Sequence, residues 1–438
     1  MNTWLVQQQR RLQQLPLQRI IIALSGGLDS SVLLHLAWRL KQQGHLPNLE
    51  AWYVNHQLQS QADAWQSQLA QQCAALGVLY RAFRVEVKKD GQGVEAAARQ
   101  ARYQCFAENL RSGDELWLAQ HADDQLETQL LRWLRGSGPQ GLAGMPEQRS
   151  LARAQLYRPL LHLSRKQLEV YAQTWGLSWC EDPSNASEVF DRNYLRHQVV
   201  PLLRQRWPDL LQRTGRSALA CRESQALLDE VAEQDYQQLA SGLALDKAGF
   251  MTLSCRRQHN LLRYLCRQRA MLPPPERVLA NLPSWLAAAE ERCPSLDWPG
   301  ASLKRYRQGI FLLETSSLVA PAPFTWQPEL MQSWPGGRLL AESCQGRGVR
   351  QQPGQWQIRF RQGGETWQPV GCQHPVSVKH FLQSQGIPPW RRAQVPLLYC
   401  DETLVAVGQR LAQGWQAQAQ QPGWWLHWQC LDVNWNGD

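Results

Sequence analysis

An apolar run from Arg19 to Leu24 ends abruptly in Ser25-Gly26-Gly27-Leu28-Asp29-Ser30, and the helical pattern of Val32 to Leu40 begins at once. A strand that breaks on paired glycines and restarts as a helix leaves few architectures open. Adjacent glycines let the backbone turn so that amide hydrogens converge, and no Cβ blocks the approach of a phosphate. The helix amino terminus adds partial positive charge at the same point. The two serines offer further hydrogen bonds. Asp29 would repel a phosphate unless a cation bridged the two, so magnesium is implied. The loop lacks the lysine of G-x-x-x-x-G-K-[ST] and is not G-x-G-x-x-G, which excludes two common nucleotide loops. The plain alternative is an incidental Gly-Gly turn with a helix cap.

The next hundred or so residues extend the same alternation. Leu49 to Val54 reads as a strand, Trp65, Leu69, Cys73 and Leu76 share a helix face, Val78 to Val87 is extended, Val94 to Leu110 is helical, and Glu115 to Ala119 is a fourth strand. Helix-length spacers between strands predict parallel pairing, hence an α/β fold with a doubly wound parallel sheet. Ligands of such sheets sit beyond the carboxyl ends of the strands, so the informative loops are those after Leu24, Val54 and Ala119.

A chain of 438 residues is too long for one ordinary core and suggests about three domains. From about Pro201 to Arg292 the pattern turns helical and polar, a Pro-rich stretch from Val319 to Pro335 reads as a linker, and the remainder alternates like a small α+β domain. The expected division is therefore 1–210, a helical middle domain over 211–320, and a small α+β domain over 340–438. No run reaches the roughly 20 apolar residues of a membrane helix, and no secretory leader is recognisable, so a cytoplasmic protein without membrane contact is expected. The eleven cysteines are scattered singly with no C-x-x-C, which argues against a disulfide framework or zinc knuckle.

The balance of 46 Lys and Arg against 37 Asp and Glu, a formal net charge of +9, attracts polyanions. The surplus is mostly arginine, whose planar fork suits phosphate. Arg192, Arg196, Arg204 and Arg206 are the expected contacts with nucleic acid, against the bland reading of solvated helix faces.

After the fourth strand comes Ala119-Gln-His-Ala-Asp-Asp-Gln-Leu-Glu-Thr128. Asp124 and Glu127 stand three apart, so on a helix they share a face. Two carboxylates at the mouth of a sheet can hold a cation, an ammonium group or a proton in transit. The competing reading is a capped helix, with Asp123 or Asp124 as N-cap.

The loop Ser25 to Ser30 resembles that of the ATP pyrophosphatase (PP-loop) superfamily, whose members cleave ATP between the α- and β-phosphates and transfer AMP to an oxygen. Behind it, Gly93 to Arg99 with Arg102 and Tyr103, Ala119 to Thr128, Arg135 to Gly138, Gly141 to Met145, Arg158 to Leu161, Glu181 to Asn185 and Arg192 to Arg196 occur in the order of the tRNA(Ile)-lysidine synthetase family. Arg361, Gly363-Gly364, Lys379, Gly386 to Pro389, Arg391 and Pro396 to Leu398 are similar to that family's C-terminal domain. The resemblance implies an ATP-dependent ligase that joins L-lysine to the wobble cytidine of tRNA(Ile) with anticodon CAU. It implies no obligate protein partner. Ser25, Gly26, Gly27, Leu28, Asp29 and Ser30 would handle ATP, with Asp29 near magnesium. Asp124 and Glu127 would hold the lysine, and one carboxylate would serve as base, which one being left open. Gln120 stands where many members carry histidine, while His121 matches the second histidine of their pattern and His56 is retained in Val54 to Gln59. Two other readings remain at this point: a tRNA thiolase of the same fold, and a basic RNA-binding protein with a vestigial loop.

Overall fold

The computed structural model describes residues 1–15, 18–46, 48–57, 61–87, 93–180, 190–242, 244–289 and 293–430. Leu58 and Gln59 and the motif Glu181 to Asn185 lie outside the described residues. The chain forms two compact units, Met1–Ala226 and Leu227–Asp438.

In the first unit, helix α1 (Asn2–Gln13) precedes β1 (Arg19–Ala23), α2 (Leu28–Gln42), β2 (Leu49–Asn55), α3 (Ala62–Ala75), β3 (Leu79–Arg84), α4 (Val94–Asn109) and β4 (Asp114–Trp117). Then come α5 (Ala122–Leu134), α6 (Pro139–Leu142), β5 (Gln148–Leu151), β6 (Ala154–Tyr157) and α7 (Arg165–Thr174). The six strands are ordered β3-β2-β1-β4-β6-β5, parallel except for β5 at the edge. Period-two alternation explains why β1 is apolar throughout. Ile20 and Ile22 enter a core with Leu33, Leu36, Leu69 and Leu168, whereas Ile21 enters the opposite one with Trp52, Phe106 and Leu116. At the other end of the sheet from the loop, Arg19 Nε donates to Asp114 Oδ1 at 3.0 Å and its Nη1 to Glu50 at 3.0 Å, pinning β1 between its neighbours. The chain leaves β1 for β2 on one side and returns to β4 on the other. The crevice beyond the carboxyl ends of β1 and β4 is thus the switch point where a doubly wound sheet takes its ligand.

Past α7, a short helix α8 (Asp191–Tyr194), a π-helical segment (Leu195–Val199) and α9 (Val200–Arg206) run on continuously, and the 30-residue helix α10 (Leu210–Leu239) comes next. A π segment is rare and changes which side chains share a face.

The second unit holds two cores. One gathers Phe250, Leu261, Trp285 and Leu303 between helices and a five-stranded antiparallel sheet that includes Ala301–Tyr306 and Gly309–Glu314. The sequence pattern showed the helices there but not that sheet. The other core is built on the antiparallel strands Trp356–Phe360, Pro396–Cys400 and Thr403–Val407 with helix Val378–Ser384. Trp326 and Trp334, in the stretch read as a linker, are buried in this second core, so that stretch is part of the fold. Trp424 meets Trp326 and Trp356 edge-on with ring centroids 5.0 and 5.1 Å apart, which gives some of the chain's many tryptophans a packing role.

Candidate functional site

The loop after β1 is organised before any ligand arrives. Gly26 has φ +88°, a value that favours glycine, and its carbonyl accepts the Cys180 amide at 2.8 Å. Ser30 Oγ accepts the Ser25 amide at 3.2 Å, lies 3.1 Å from Ser25 Oγ, and donates to the Gly27 carbonyl at 2.9 Å. Gly27 is the N-cap of α2 without a capping side chain, so the first amides of that helix remain available to an anion. Leu28 is buried in the core, leaving only its backbone to serve a nucleotide.

Asp29, in the first turn of α2, accepts Arg165 Nη1 at Oδ2, 3.0 Å away. Its Oδ1 is buried without a hydrogen-bond partner among the described residues; His121 Nε2, at 3.6 Å, is too far. An orphaned carboxylate oxygen beside a phosphate cradle fits a divalent cation. Magnesium is commonly held by one or two carboxylates plus substrate phosphates, and among the described residues no cluster of three His, Cys, Asp or Glu would hold a metal unaided.

The second motif lands on the adjacent strand end. His121, not an aspartate, caps α5: its Nδ1 accepts the Asp123 amide at 3.2 Å, while Asp124 Oδ2 accepts the His121 amide at 3.0 Å. Asp124 therefore has a structural task as well, as the capped-helix reading expected. Its other oxygen faces Arg192 Nη2 at 2.7 Å. Glu127, buried one turn on, accepts Arg192 Nε at 2.7 Å and Arg196 Nε and Nη2 at 2.6 and 2.9 Å. Arg204 pairs with Asp123, whose carboxyl is held well below the usual range by His121, the Arg165 amide and Arg204 despite burial. Of the four arginines expected to meet nucleic acid, Arg192, Arg196 and Arg204 thus turn inward onto the carboxylates, and Arg206 is exposed.

His121 joins the two motifs, with Nε2 3.6 Å from Asp29 and 3.5 Å from Asp124. Burial alone would lower its pKa, but Asp123, Asp29 and Asp124 push it up to about 10. The cap from the Asp123 amide belongs to the neutral ring; once protonated, Nδ1 can no longer accept it and faces Asp123 Oδ2, 3.5 Å away. Because the folded pKa lies above the unfolded value, the stabilisation is complete below about pH 6.5 and fades as pH rises through about 10. The His121 ring resonance should accordingly stay in its protonated position from pH 6 to 8 in an NMR titration; a midpoint near 6.5 would refute this charge balance.

Gln120 accepts Arg158 Nε at 2.7 Å, and Arg158 Nη1 donates to the Pro146 carbonyl at 2.7 Å, so the residue in place of histidine orients a buried guanidinium. Beyond β2, burial and the nearby Arg102 hold His56 down at about 4, and its Nδ1 has no hydrogen-bond partner among the described residues. Arg165 and Cys180 carry no signal in the sequence that marks them as part of the site. Ser164-x-x-Gln167 does mark a helix start at Arg165, but nothing local says that the arginine reaches Asp29.

A parallel sheet whose central strand ends in this glycine loop, with Asp29 in the first turn of the following helix and the Asp124–Glu127 pair on the helix after the adjoining strand, defines a PP-loop nucleotide-using protein. The family model described as PP-loop domain matches residues 3–203, and the TilS substrate binding domain and TilS substrate C-terminal domain match residues 245–311 and 356–428. The chain belongs to the tRNA(Ile)-lysidine synthase family. It is 42% identical to the tRNA(Ile)-lysidine synthase of Alkalilimnicola ehrlichii, covering 90% of this chain and 89% of that one. The tRNA(Ile)-lysidine synthase of Serratia proteamaculans is 40% identical, with 94% and 95% covered, and that of Coxiella burnetii 36%, with 92% and 91% covered.

Proposed function

We infer that this chain uses ATP to join L-lysine to the wobble cytidine of tRNA(Ile) with anticodon CAU, through an adenylated cytidine, releasing pyrophosphate and then AMP. The observation that carries the reading is the meeting of the phosphate cradle and the Asp124–Glu127 pair at one crevice, with His121 within 3.6 Å of both Asp29 and Asp124. Cytosine's 2-carbonyl is a poor electrophile whose oxygen does not leave. Transfer of AMP to that oxygen cures both faults, and the lysine ε-amine then displaces AMP. The loop amides, Ser25 and Ser30 hold the phosphates. Magnesium, held by Asp29 and the phosphates, would neutralise charge on the departing pyrophosphate. Asp124 and Glu127 hold an ammonium group of lysine and accept the proton that the attacking amine sheds. Since Arg192 and Arg196 already neutralise that pair, lysine must share or displace them.

The sulfur-transfer alternative is disfavoured at the crevice: burial raises the pKa of Cys180, the thiol beside the loop, and pushes Cys73 and Cys105 up to about 11. Incubation with ATP, labelled lysine and tRNA transcripts tests the reading. Label should enter the isoleucine transcript with anticodon CAU and not the methionine transcript sharing it; pyrophosphate release without incorporated lysine would refute it.

Polyanion contact falls to the arginines that remain outside. Arg206 and Arg216 are exposed, whereas Arg213 is occupied by Asp209 at 2.8 Å. Replacing Arg206 and Arg216 together by Ala should weaken tRNA binding and flatten the slope of log affinity against log salt by about 1 to 2. An unchanged slope would remove this patch from the interface.

A further inference from the structure

The helix that carries Arg192 and Arg196 has a second face, and its chemistry differs from the first. Leu195 is buried and the two arginines point at Asp124 and Glu127, yet Phe190 and Tyr194, one turn apart, are 43% and 52% exposed. Continuing outward past the π segment, Leu202 is 65% and Trp207 43% exposed. Arg135 Nη2, 3.8 Å from Asp191 Oδ2, sets the end of α5 beside α8, and there Trp133 is 64% exposed. Large apolar groups scattered singly need no explanation, but Phe190, Tyr194, Leu202 and Trp207 recur along one uninterrupted helical segment whose Arg192 and Arg196 reach the crevice.

Charge decides what covers them. Arg135, beside Asp191, and Arg206, next to Trp207, are exposed at this face on a chain of net charge +9, which favours a polyanion over an apolar protein partner. Flat aromatic rings beside cations are what unpaired nucleotides use, because every base has a π-face to stack. A duplex, with its bases already stacked, has nothing to offer such rings.

We propose that the outward face of α8 and α9, centred on Phe190 and Tyr194, is a stacking platform for unpaired RNA bases flanking the nucleotide that enters the crevice. This rests on the proposed tRNA substrate and deepens that reading. One helix then does two jobs: its inner face holds the carboxylates in place, and its outer face grips the loop by its bases while arginines farther along meet phosphates. The inward turn of Arg192 and Arg196 is what leaves the aromatics as the helix's outward chemistry.

The test is affinity of the full chain for the isoleucine tRNA transcript across a salt series, for Tyr194→Ala, Phe190→Ala, the double variant and Tyr194→Trp. Both positions are exposed, so folding is spared. Each alanine should weaken binding about tenfold. The salt slope should stay that of the parent protein, because stacking releases no counterions, and Tyr194→Trp should bind at least as well as the parent. Unchanged affinity in the double variant would overturn the proposal. So would a loss accompanied by a flatter salt slope, which means a phosphate contact, or light scattering showing that the parent self-associates and the double variant does not. A parent protein that binds the transcript through this face yet incorporates no lysine would sink the functional reading and leave the stacking face standing.

Discussion

Asp29→Asn should cut ATP-dependent pyrophosphate release by at least about a hundredfold while leaving tRNA affinity within about twofold. The substitution keeps the side-chain shape, and its amide oxygen can still accept Arg165, which reaches Oδ2 at 3.0 Å. What it removes is the negative charge at Oδ1, the buried atom with no hydrogen-bond partner among the described residues. A neutral amide cannot anchor a cation against phosphate oxygens, and it weakens the field holding the second proton on His121, 3.6 Å away. Both losses fall at the loop and neither on the exposed side chains proposed to meet RNA. Pyrophosphate release measured beside tRNA binding checks the split, and substantial release by the variant would show that Asp29 does not carry the metal.

Glu127→Gln should lower apparent lysine affinity roughly tenfold to a hundredfold, the worth of one charge-assisted hydrogen bond, with little change in the ATP requirement. Glu127 is buried and meets three guanidinium nitrogens at 2.6 to 2.9 Å. Deleting its charge leaves Arg192 and Arg196 facing each other across a neutral group. Breaking a fully buried pair costs about 3 to 5 kcal/mol, but these arginines are about a third exposed, so roughly 1 to 3 kcal/mol of stability is expected to go. The thermal midpoint should fall with the lysine affinity. Asp124→Asn should be milder in stability, since an amide oxygen can still cap α5 by accepting the His121 amide. A variant at Glu127 with unchanged lysine dependence would take this carboxylate out of the amine site.

Much of the first unit is legible from local pattern because its signals are local. The Ile20 to Ile22 run, buried on both sides of the sheet, reads as a central strand, and the glycine pair marks the cradle within six residues. In the second unit the strand Ala301–Tyr306 is not legible in this way. Arg305 breaks its apolar alternation, yet it is buried, donating to the backbone carbonyls of Trp285, Leu286 and Ala288. Proline content likewise hides Trp326 and Trp334, whose burial comes from strands far along the chain.

Taken alone, the order of residues determined the nucleotide loop and the acidic pair three apart, which depend on neighbours within a turn or two, the parallel sheet through its helix-length spacers, and the basic excess as a simple count. Only the tertiary structure decided where the arginines go. Arg192 and Arg196 lie more than sixty positions from Asp124 and Glu127, and a guanidinium has no local preference between a phosphate outside and a carboxylate within. That choice is made by packing α8 and its π segment against α5, which turns the charges inward and the aromatic rings out.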